Sequence, residues 1–139
     1  MKFKVKDAKQ PVNNPEVLYQ ALLKVWKTFD YIARQKEYFW VIHLTTRNMI
    51  KSLEIISVGT LDASLVHPRE VFVRAIKEHS YSIIVAHNHP SGNPEPSEED
   101  INITKRLQRV SETIGIPVLD HIVYTDQEFV SLKNKGYML

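Results

Sequence analysis

The stretch 81–100 constrains the fold more than any other part of the chain. Residues 81–86 are mostly apolar and β-branched, which predicts a buried strand. His87 and His89 follow at once, and because positions i and i+2 of an extended chain face the same side, their imidazoles are aimed at one point. Asn88 lies between them and is predicted to face away.

A stiff loop then leads into a helix. Residues 90–96 contain three prolines and one glycine, so this segment is predicted to be a turn rather than a helix or a central strand. Ser97 is a favourable helix N-cap, and Asp100 stands three residues later, where an acidic capping-box residue belongs. If the loop folds back, Asp100 becomes a third ligand beside the two histidines.

Two imidazole nitrogens and one carboxylate oxygen suit a Zn²⁺ ion whose fourth position is left to water. A structural zinc site is closed by four protein ligands and usually uses cysteine, and this chain has no cysteine. The pattern therefore predicts a catalytic zinc centre at His87, His89 and Asp100, where the ion lowers the pKa of a bound water and polarises a carbonyl. Taken singly, Ser97 and Asp100 could be only a helix cap, and the histidines ordinary loop residues. Together, at this spacing after a buried strand, they favour the metal site.

These residues also carry a resemblance to a known family. The pattern His-x-His-Pro, six residues, Ser-x-x-Asp at 87–100 resembles the metalloprotease motif of the JAMM (MPN) superfamily. The segments 59–61, 66–72, 87–97 and 119–121 are similar, more narrowly, to the RadC family, long labelled DNA repair proteins. The similarity runs from about residue 11 to the C-terminus. Typical members also carry an N-terminal helix-hairpin-helix-like region, for which 139 residues leave no room, so we expect the catalytic-type domain alone.

Periodicity predicts one α/β domain at residues 14–139, after an N-terminal arm at 1–13 that includes an edge strand through Phe3 and Val5. The predicted helices begin at Asn14, His67 and Glu98 and end near Phe29, Ser80 and Ile114, and the inward positions of the second are Val71, Phe72, Ala75 and Ile76. The predicted strands are 38–44, 49–58, 81–86 and 118–124. The order predicts a mixed β-sheet flanked by helices, and the resemblance implies the JAMM/MPN, cytidine deaminase-like fold.

A zinc hydrolase needs a base that accepts the proton of the attacking water. In JAMM enzymes a glutamate at the beginning of an early strand does this, and the resemblance places Glu37 there. The cysteine and glycine that follow it in that superfamily are Phe39 and Trp40 here, as is typical of RadC-like sequences. Glu54, on the return strand, is the alternative base, and a solvated surface charge is the alternative role for Glu37.

Two further side chains are candidates at the site. Ser97 would hydrogen-bond the oxyanion that forms during attack, which is compatible with its capping role. His121, on the last strand, is a candidate to hold Asp100 or a substrate carbonyl, and an ordinary core or surface position is its alternative. His67, which precedes Pro68, is expected to be structural, and His43 and His79, which have no partner in sequence, are expected to be ordinary core or surface residues.

The expected function is that of a zinc-dependent peptidase or isopeptidase acting on a peptide or isopeptide substrate. The alternatives are a DNA-repair or DNA-processing accessory protein and a non-catalytic metal-binding scaffold. The net charge of +2, without a basic stripe, does not support nucleic-acid binding. No apolar leader or membrane span is visible, and the lack of cysteine fits a cytoplasmic location. The oligomeric state stays open, a homo-oligomer included.

Overall fold

The computed structural model describes residues 1–4, 10–59 and 66–139. The helices in this part of the chain are α1 (Pro15–Trp26), α2 (Tyr31–Arg34), α3 (Pro68–Lys77) and α4 (Glu98–Ile114). The strands are β1 (Lys2–Phe3), β2 (Glu37–Leu44), β3 (Ile50–Gly59), β4 (Ser82–Asn88), β5 (Val118–Tyr124) and β6 (Phe129–Ser131). Among the described residues, no helix is both long and apolar enough to cross a membrane.

The strands form one six-stranded sheet in the order β1-β3-β2-β4-β5-β6. β4 and β5 are parallel and are joined through α4, whereas the other neighbours are antiparallel. The predicted α/β architecture with a mixed sheet is therefore confirmed. The register between β2 and β4 sets Phe39 opposite His87, so the N-terminal end of β2 lies beside the C-terminal end of β4.

Helices cover both faces of the sheet, which explains why the central strands are almost continuously apolar rather than alternating. Trp40 and Ile42 of β2 belong to the core that is shared with α1. Phe39 and Val41 point the other way, into the core that is shared with α3 and α4. His87 alternates with Ala86 and Asn88, so it emerges on the α3–α4 side.

The local signals at the helix ends are also confirmed. Asn14 caps α1, where its side-chain oxygen accepts a hydrogen bond from the backbone N–H of Val17 at 3.1 Å. Gly115 ends α4 in the left-handed conformation, with φ of 82°. The sequence prediction omitted α2, a four-residue helix capped by Asp30, because a single turn is too short to show a helical period.

Three details differ from the predictions or lie beyond them. Ile76 was expected to face inward but is 55% exposed, because the helical rotation of 100° per residue places it to one side of the buried face that Val71, Phe72 and Ala75 form. The edge strand through Phe3 is present and pairs with β3, whereas Val5 lies outside the described residues. The boundary between an arm at 1–13 and a domain at 14–139 stays a prediction.

Candidate metal centre

The three predicted metal ligands lie together at the carboxyl end of β4. His87 Nε2 is 3.1 Å from Asp100 Oδ1, and His89 Nε2 is 3.3 Å from Asp100 Oδ2. The two Nε2 atoms are 3.0 Å apart. His87 and Asp100 are buried and His89 is half-buried. One atom from each residue thus lies close enough to the others to bind a single metal ion.

A capping box at the start of α4 brings Asp100 to the histidines. The Ser97 hydroxyl accepts a hydrogen bond from the Asp100 N–H at 3.1 Å, and the Ser97 N–H donates to Asp100 Oδ2 at 2.8 Å. Both interactions satisfy amide groups that have no partner inside the helix. The predicted loop therefore does fold back, and the cap and the proposed ligand are the same carboxylate.

The chemistry of the three groups fits a metal ion. Nδ1 of His89 is 2.9 Å from the backbone carbonyl oxygen of Asn93, which can only accept, so a neutral His89 carries its proton on Nδ1 and a lone pair on Nε2. The Asp100 carboxylate likewise has only acceptor atoms to offer. One nitrogen of each histidine and one oxygen of Asp100 lie within 4.8 Å of one another, so the three residues can offer their lone pairs to a single ion.

The electrostatics of the site favour a cation. Burial alone would raise the pKa of Asp100, but contacts with His87 and His89, together with the Ser97 N–H, outweigh it and hold that pKa well below its usual value. The Asp100 carboxylate in turn raises the pKa of His89, against the opposing effect of burial. A negative charge is thus fixed beside two imidazoles, where it attracts either a proton or a metal ion.

Two buried side chains lie behind His87, on the side away from the cavity. His121 Nε2 is 2.8 Å from His87 Nδ1, and His121 Nδ1 is 2.6 Å from the hydroxyl oxygen of Thr104. Burial lowers the pKa of His121 well below its usual value, so this imidazole is neutral. His121 was a candidate to hold Asp100 or a substrate carbonyl, with an ordinary core or surface position as the alternative. It instead contacts His87, and reaches only the backbone of Asp100, through Thr104.

The predicted base and oxyanion donor line the same cavity as the three ligands. This cavity, of about 180 Å³, is lined by Glu37, Phe39, His87, His89, Ser97, Glu99 and Asp100. A wider groove of about 640 Å³ adjoins it and is lined by residues 35–37, Gly59 and residues 89–91. Glu37 and His89 belong to both spaces, so they lie where the groove meets the cavity.

Asn88 fixes the backbone around Glu37. Its side-chain oxygen accepts from the Tyr38 N–H at 2.7 Å, and its side-chain nitrogen donates to the Lys36 carbonyl at 2.9 Å. These are the residues on either side of Glu37. As predicted, Asn88 faces away from the histidines, and in doing so it ties their strand to the start of β2.

Phe39 forms the apolar wall of the cavity. Its ring lies nearly parallel to the imidazole of His87, with centroids 6.1 Å apart and an interplanar angle of 13°. It also meets His121 edge-on at 5.8 Å. Phe39 is 2% exposed, and because its ring packs against both imidazoles it limits the orientations that they can adopt. The aromatic residue at this position is thus built into the site.

The alternative base, Glu54, lines neither of these two spaces. Its carboxylate is 3.0 Å from His43 Nε2 and 2.8 Å from a guanidinium nitrogen of Arg74. His43 pairs with Ile83 in the sheet, four residues before His87 along β4. Glu54 is therefore part of a separate polar cluster near the other end of the sheet. His43, expected to be an ordinary core or surface residue, is buried in that cluster.

The comparisons with known proteins agree with this geometry. The family model of the RadC-like JAB domain matches residues 12–137 of the sequence. A UPF0758 protein of Clostridium acetobutylicum is 52% identical over 127 residues, which cover 91% of this chain and 53% of that protein. A UPF0758 protein of Methanosarcina mazei is 41% identical over 134 residues, covering 96% and 56% respectively.

The chain belongs to the RadC family, with a JAB domain and a His-His-Asp group that fits a JAMM-type metal site. JAB/MPN domains include metallohydrolases. The relatives' names state no activity. The chain spans about half the length of the curated relatives it matches.

Two residues of the site were missed by sequence reasoning. Thr104 carried a usable signal, since it stands four residues after Asp100 and so shares its face of α4. Asn88 was correctly placed on the opposite side of β4, but its contacts with the backbone beside Glu37 cross 50 and 52 residues of sequence. No local pattern indicates such a contact.

Proposed function

We propose that this domain is a zinc-dependent hydrolase of amide bonds, a peptidase or isopeptidase, with His87, His89 and Asp100 as the zinc ligands. The observation that carries the proposal is the convergence of these three groups in a cavity that Glu37 and Ser97 also line. A metal site needs only the ligands. A hydrolytic site also needs a base and a donor to the oxyanion, and both are next to the ligands.

Two imidazole nitrogens and one carboxylate are a donor set for zinc rather than for magnesium or calcium, which prefer oxygen ligands only. When bound, zinc supplies Lewis acidity to a water molecule and to a carbonyl oxygen. With three protein ligands, the fourth position of a tetrahedral ion would be left to water. The ligand set thus matches the catalytic kind of zinc site.

Glu37 accepts the proton of the attacking water and passes it to the nitrogen of the leaving amine. Glu37 lines both the cavity and the wider groove, so it lies where a peptide in the groove would meet the ligands. Ser97 donates to the carbonyl oxygen as negative charge develops there. The helix cap uses a lone pair of the Ser97 oxygen, so the hydroxyl proton is left for the substrate.

The proposal is tested by separating metal binding from hydrolysis. The protein is prepared without chelator and without a nickel column, its zinc content is measured, and a peptide library is screened for cleavage. Glu37→Gln is expected to keep one zinc per chain and the fold while the cleavage rate falls about 10²- to 10⁴-fold. Glu54→Gln is the matched control, because this carboxylate binds His43 and Arg74 rather than lining the cavity.

Two results would contradict the proposal. Unchanged cleavage by Glu37→Gln would remove the base assignment. A wild-type protein that binds zinc stoichiometrically but cleaves no member of the library would favour the metal-binding scaffold, for which neither Glu37 nor Ser97 is needed at the cavity.

A further inference from the structure

A continuous line of buried polar contacts runs from His87 into helix α4. His87 Nδ1 is 2.8 Å from His121 Nε2, and His121 Nδ1 is 2.6 Å from Thr104 Oγ1. Thr104 Oγ1 is 2.6 Å from the backbone carbonyl oxygen of Asp100. His121 and Thr104 are both fully buried, so water does not compete for these contacts.

The directions of these hydrogen bonds follow from the number of protons available. A carbonyl oxygen has no proton to give, so the short contact between Thr104 and Asp100 must use the hydroxyl proton of Thr104. That hydroxyl has one proton only. The equally short contact between Thr104 and His121 must then use a proton on Nδ1 of His121.

The number of available protons also determines which ring nitrogen of His87 carries a proton. His121 is fully buried beside other imidazoles, where a second proton is disfavoured, so with Nδ1 protonated its Nε2 is an acceptor. The contact between His121 Nε2 and His87 Nδ1 therefore uses a proton on His87 Nδ1. His87 Nε2, which faces Asp100 and His89, is left with its lone pair.

His89 also carries its proton on Nδ1 when neutral, but here the acceptor is the backbone carbonyl of Asn93 in the loop. The two proposed histidine ligands thus both offer Nε2. The proton of His89 is held by the loop backbone, and that of His87 by the side chains of Thr104 and His121, from α4 and β5. Only the contacts behind His87 can be altered by side-chain substitution without rebuilding the loop.

We propose that Thr104 and His121 are positioning residues that hold the proton of His87 on Nδ1 and so keep His87 Nε2 ready to bind the metal ion. This inference rests on the proposed metal site. We call this hydrogen-bonded series, from the Asp100 carbonyl through the Thr104 hydroxyl and His121 to His87, the relay. It connects one proposed ligand to the backbone of another. The relay therefore also fixes the first turn of α4 relative to β4 and β5.

The contrasting interpretation is that Thr104 and His121 only fill the core. Shape and hydrogen bonding are separated by Thr104→Val and Thr104→Ser. Valine keeps the shape and the β-branch of threonine but has no hydroxyl, whereas serine keeps the hydroxyl and loses a methyl group. Ser111→Ala is the control on the same helix, because its buried hydroxyl donates to the Gln108 carbonyl and not to a histidine.

The first measurement is the position of the ring proton in the metal-free protein. Nitrogen-15 correlation spectra of the histidine rings at alkaline pH, where a free imidazole is neutral, distinguish Nδ1–H from Nε2–H. The wild type, Thr104→Ser and Ser111→Ala are expected to show His87 in the Nδ1–H form alone. Thr104→Val is expected to populate the Nε2–H form, because His121 loses the acceptor for its own Nδ1 proton.

The second measurement is the affinity for Zn²⁺ in competition with a chromogenic chelator. Thr104→Val is expected to bind zinc about 10- to 100-fold more weakly than wild type, as is usual when a residue behind a ligand is lost. Thr104→Ser is expected to stay near the wild-type value. Urea unfolding of the metal-free variants checks that differences in zinc affinity do not simply follow differences in stability.

The outcomes separate this inference from the proposed function. If Thr104→Val leaves His87 wholly in the Nδ1–H form, or if valine and serine change it equally, the relay is overturned. If the wild type binds no zinc but the ring protons shift as expected, the proposed function fails and the role in metal binding fails with it, while the control of the His87 proton by Thr104 and His121 stands. If zinc is bound and cleavage is absent, the relay is likewise unaffected.

Discussion

The side-chain oxygen of Asn88 accepts a hydrogen bond from the backbone N–H of Tyr38 at 2.7 Å, and this bond joins the strand of the proposed ligands to the strand of the proposed base. The last residue pair between the two strands is Phe39 with His87. Asn88 adds two more hydrogen bonds beyond that pair, to Tyr38 and to Lys36. The peptide groups on both sides of Glu37 are held as a result.

Asn88→Ala is expected to destabilise the protein by about 1–3 kcal/mol, because it leaves the buried N–H of Tyr38 and the carbonyl of Lys36 without their partner. The zinc ligands are on the opposite side of β4, so zinc content should stay at one per chain. Urea unfolding and metal analysis measure the two effects. Asn102→Ala, on the exposed side of α4, is the control and should change neither. Loss of zinc in Asn88→Ala would show that Asn88 also shapes the ligand site.

The ligand assignment predicts a specific pattern among histidine variants. His89→Ala is expected to abolish stoichiometric zinc binding, since two ligands do not hold the ion tightly enough to survive dialysis. His67→Ala is the matched control, because His67 is exposed at the start of α3 and makes no side-chain capping bond. Metal analysis after dialysis gives the stoichiometry. One zinc per chain in His89→Ala would mean that the ligand set is wrong.

Removal of the metal is expected to leave the fold in place. The two cores on either side of the sheet are built from apolar residues of α1, α3, α4 and the strands, and the site lies at the edge of one of them. Asp100 also keeps its capping role without metal. Far-ultraviolet circular dichroism in excess EDTA should therefore resemble that of the untreated protein. Unfolding on chelation would identify a structural metal and would contradict the open-site interpretation.

Much of the site was predictable because its signals are local. The strand β4, the His-x-His pair and the capping box lie within residues 82–100 and obey short-range rules of strand alternation and helix capping. The ligands could be placed by these rules alone. The base at Glu37 needed the family resemblance, since it comes from a different strand.

The rest was not predictable because it depends on which distant segments pack together. Thr104 and His121 are 17 residues apart, and His87 and His121 are 34 apart. His43 and Glu54 face each other only because β2 and β3 pair in one particular register. His121 was a candidate at the site and His43 was not, but the sequence named neither the His87 contact of the first nor the Glu54 contact of the second.

The stability of the protein is expected to depend on pH through His43, which is fully buried near the other end of the sheet from the metal centre. Burial lowers the pKa of His43 below its usual 6.5, although Glu54 acts in the opposite direction. The folded protein therefore binds fewer protons at His43 than the unfolded chain does. By linkage, the free energy of unfolding increases with pH between the folded pKa and 6.5, and decreases as the pH falls through that window.

His43→Gln is expected to reduce this loss of stability on acidification, because glutamine has no proton to gain on unfolding. It is not expected to remove the loss entirely, since burial also lowers the pKa of His121 and adds an effect of the same sign. Urea unfolding of the metal-free protein, from neutral to mildly acidic pH, measures the slope for the wild type, for His43→Gln and for the exposed control His67→Ala. The control should keep the wild-type slope. Equal slopes in all three proteins would show that His43 is not buried in its neutral form, and the contacts with Ser80 and Glu54 would then have to involve an imidazolium.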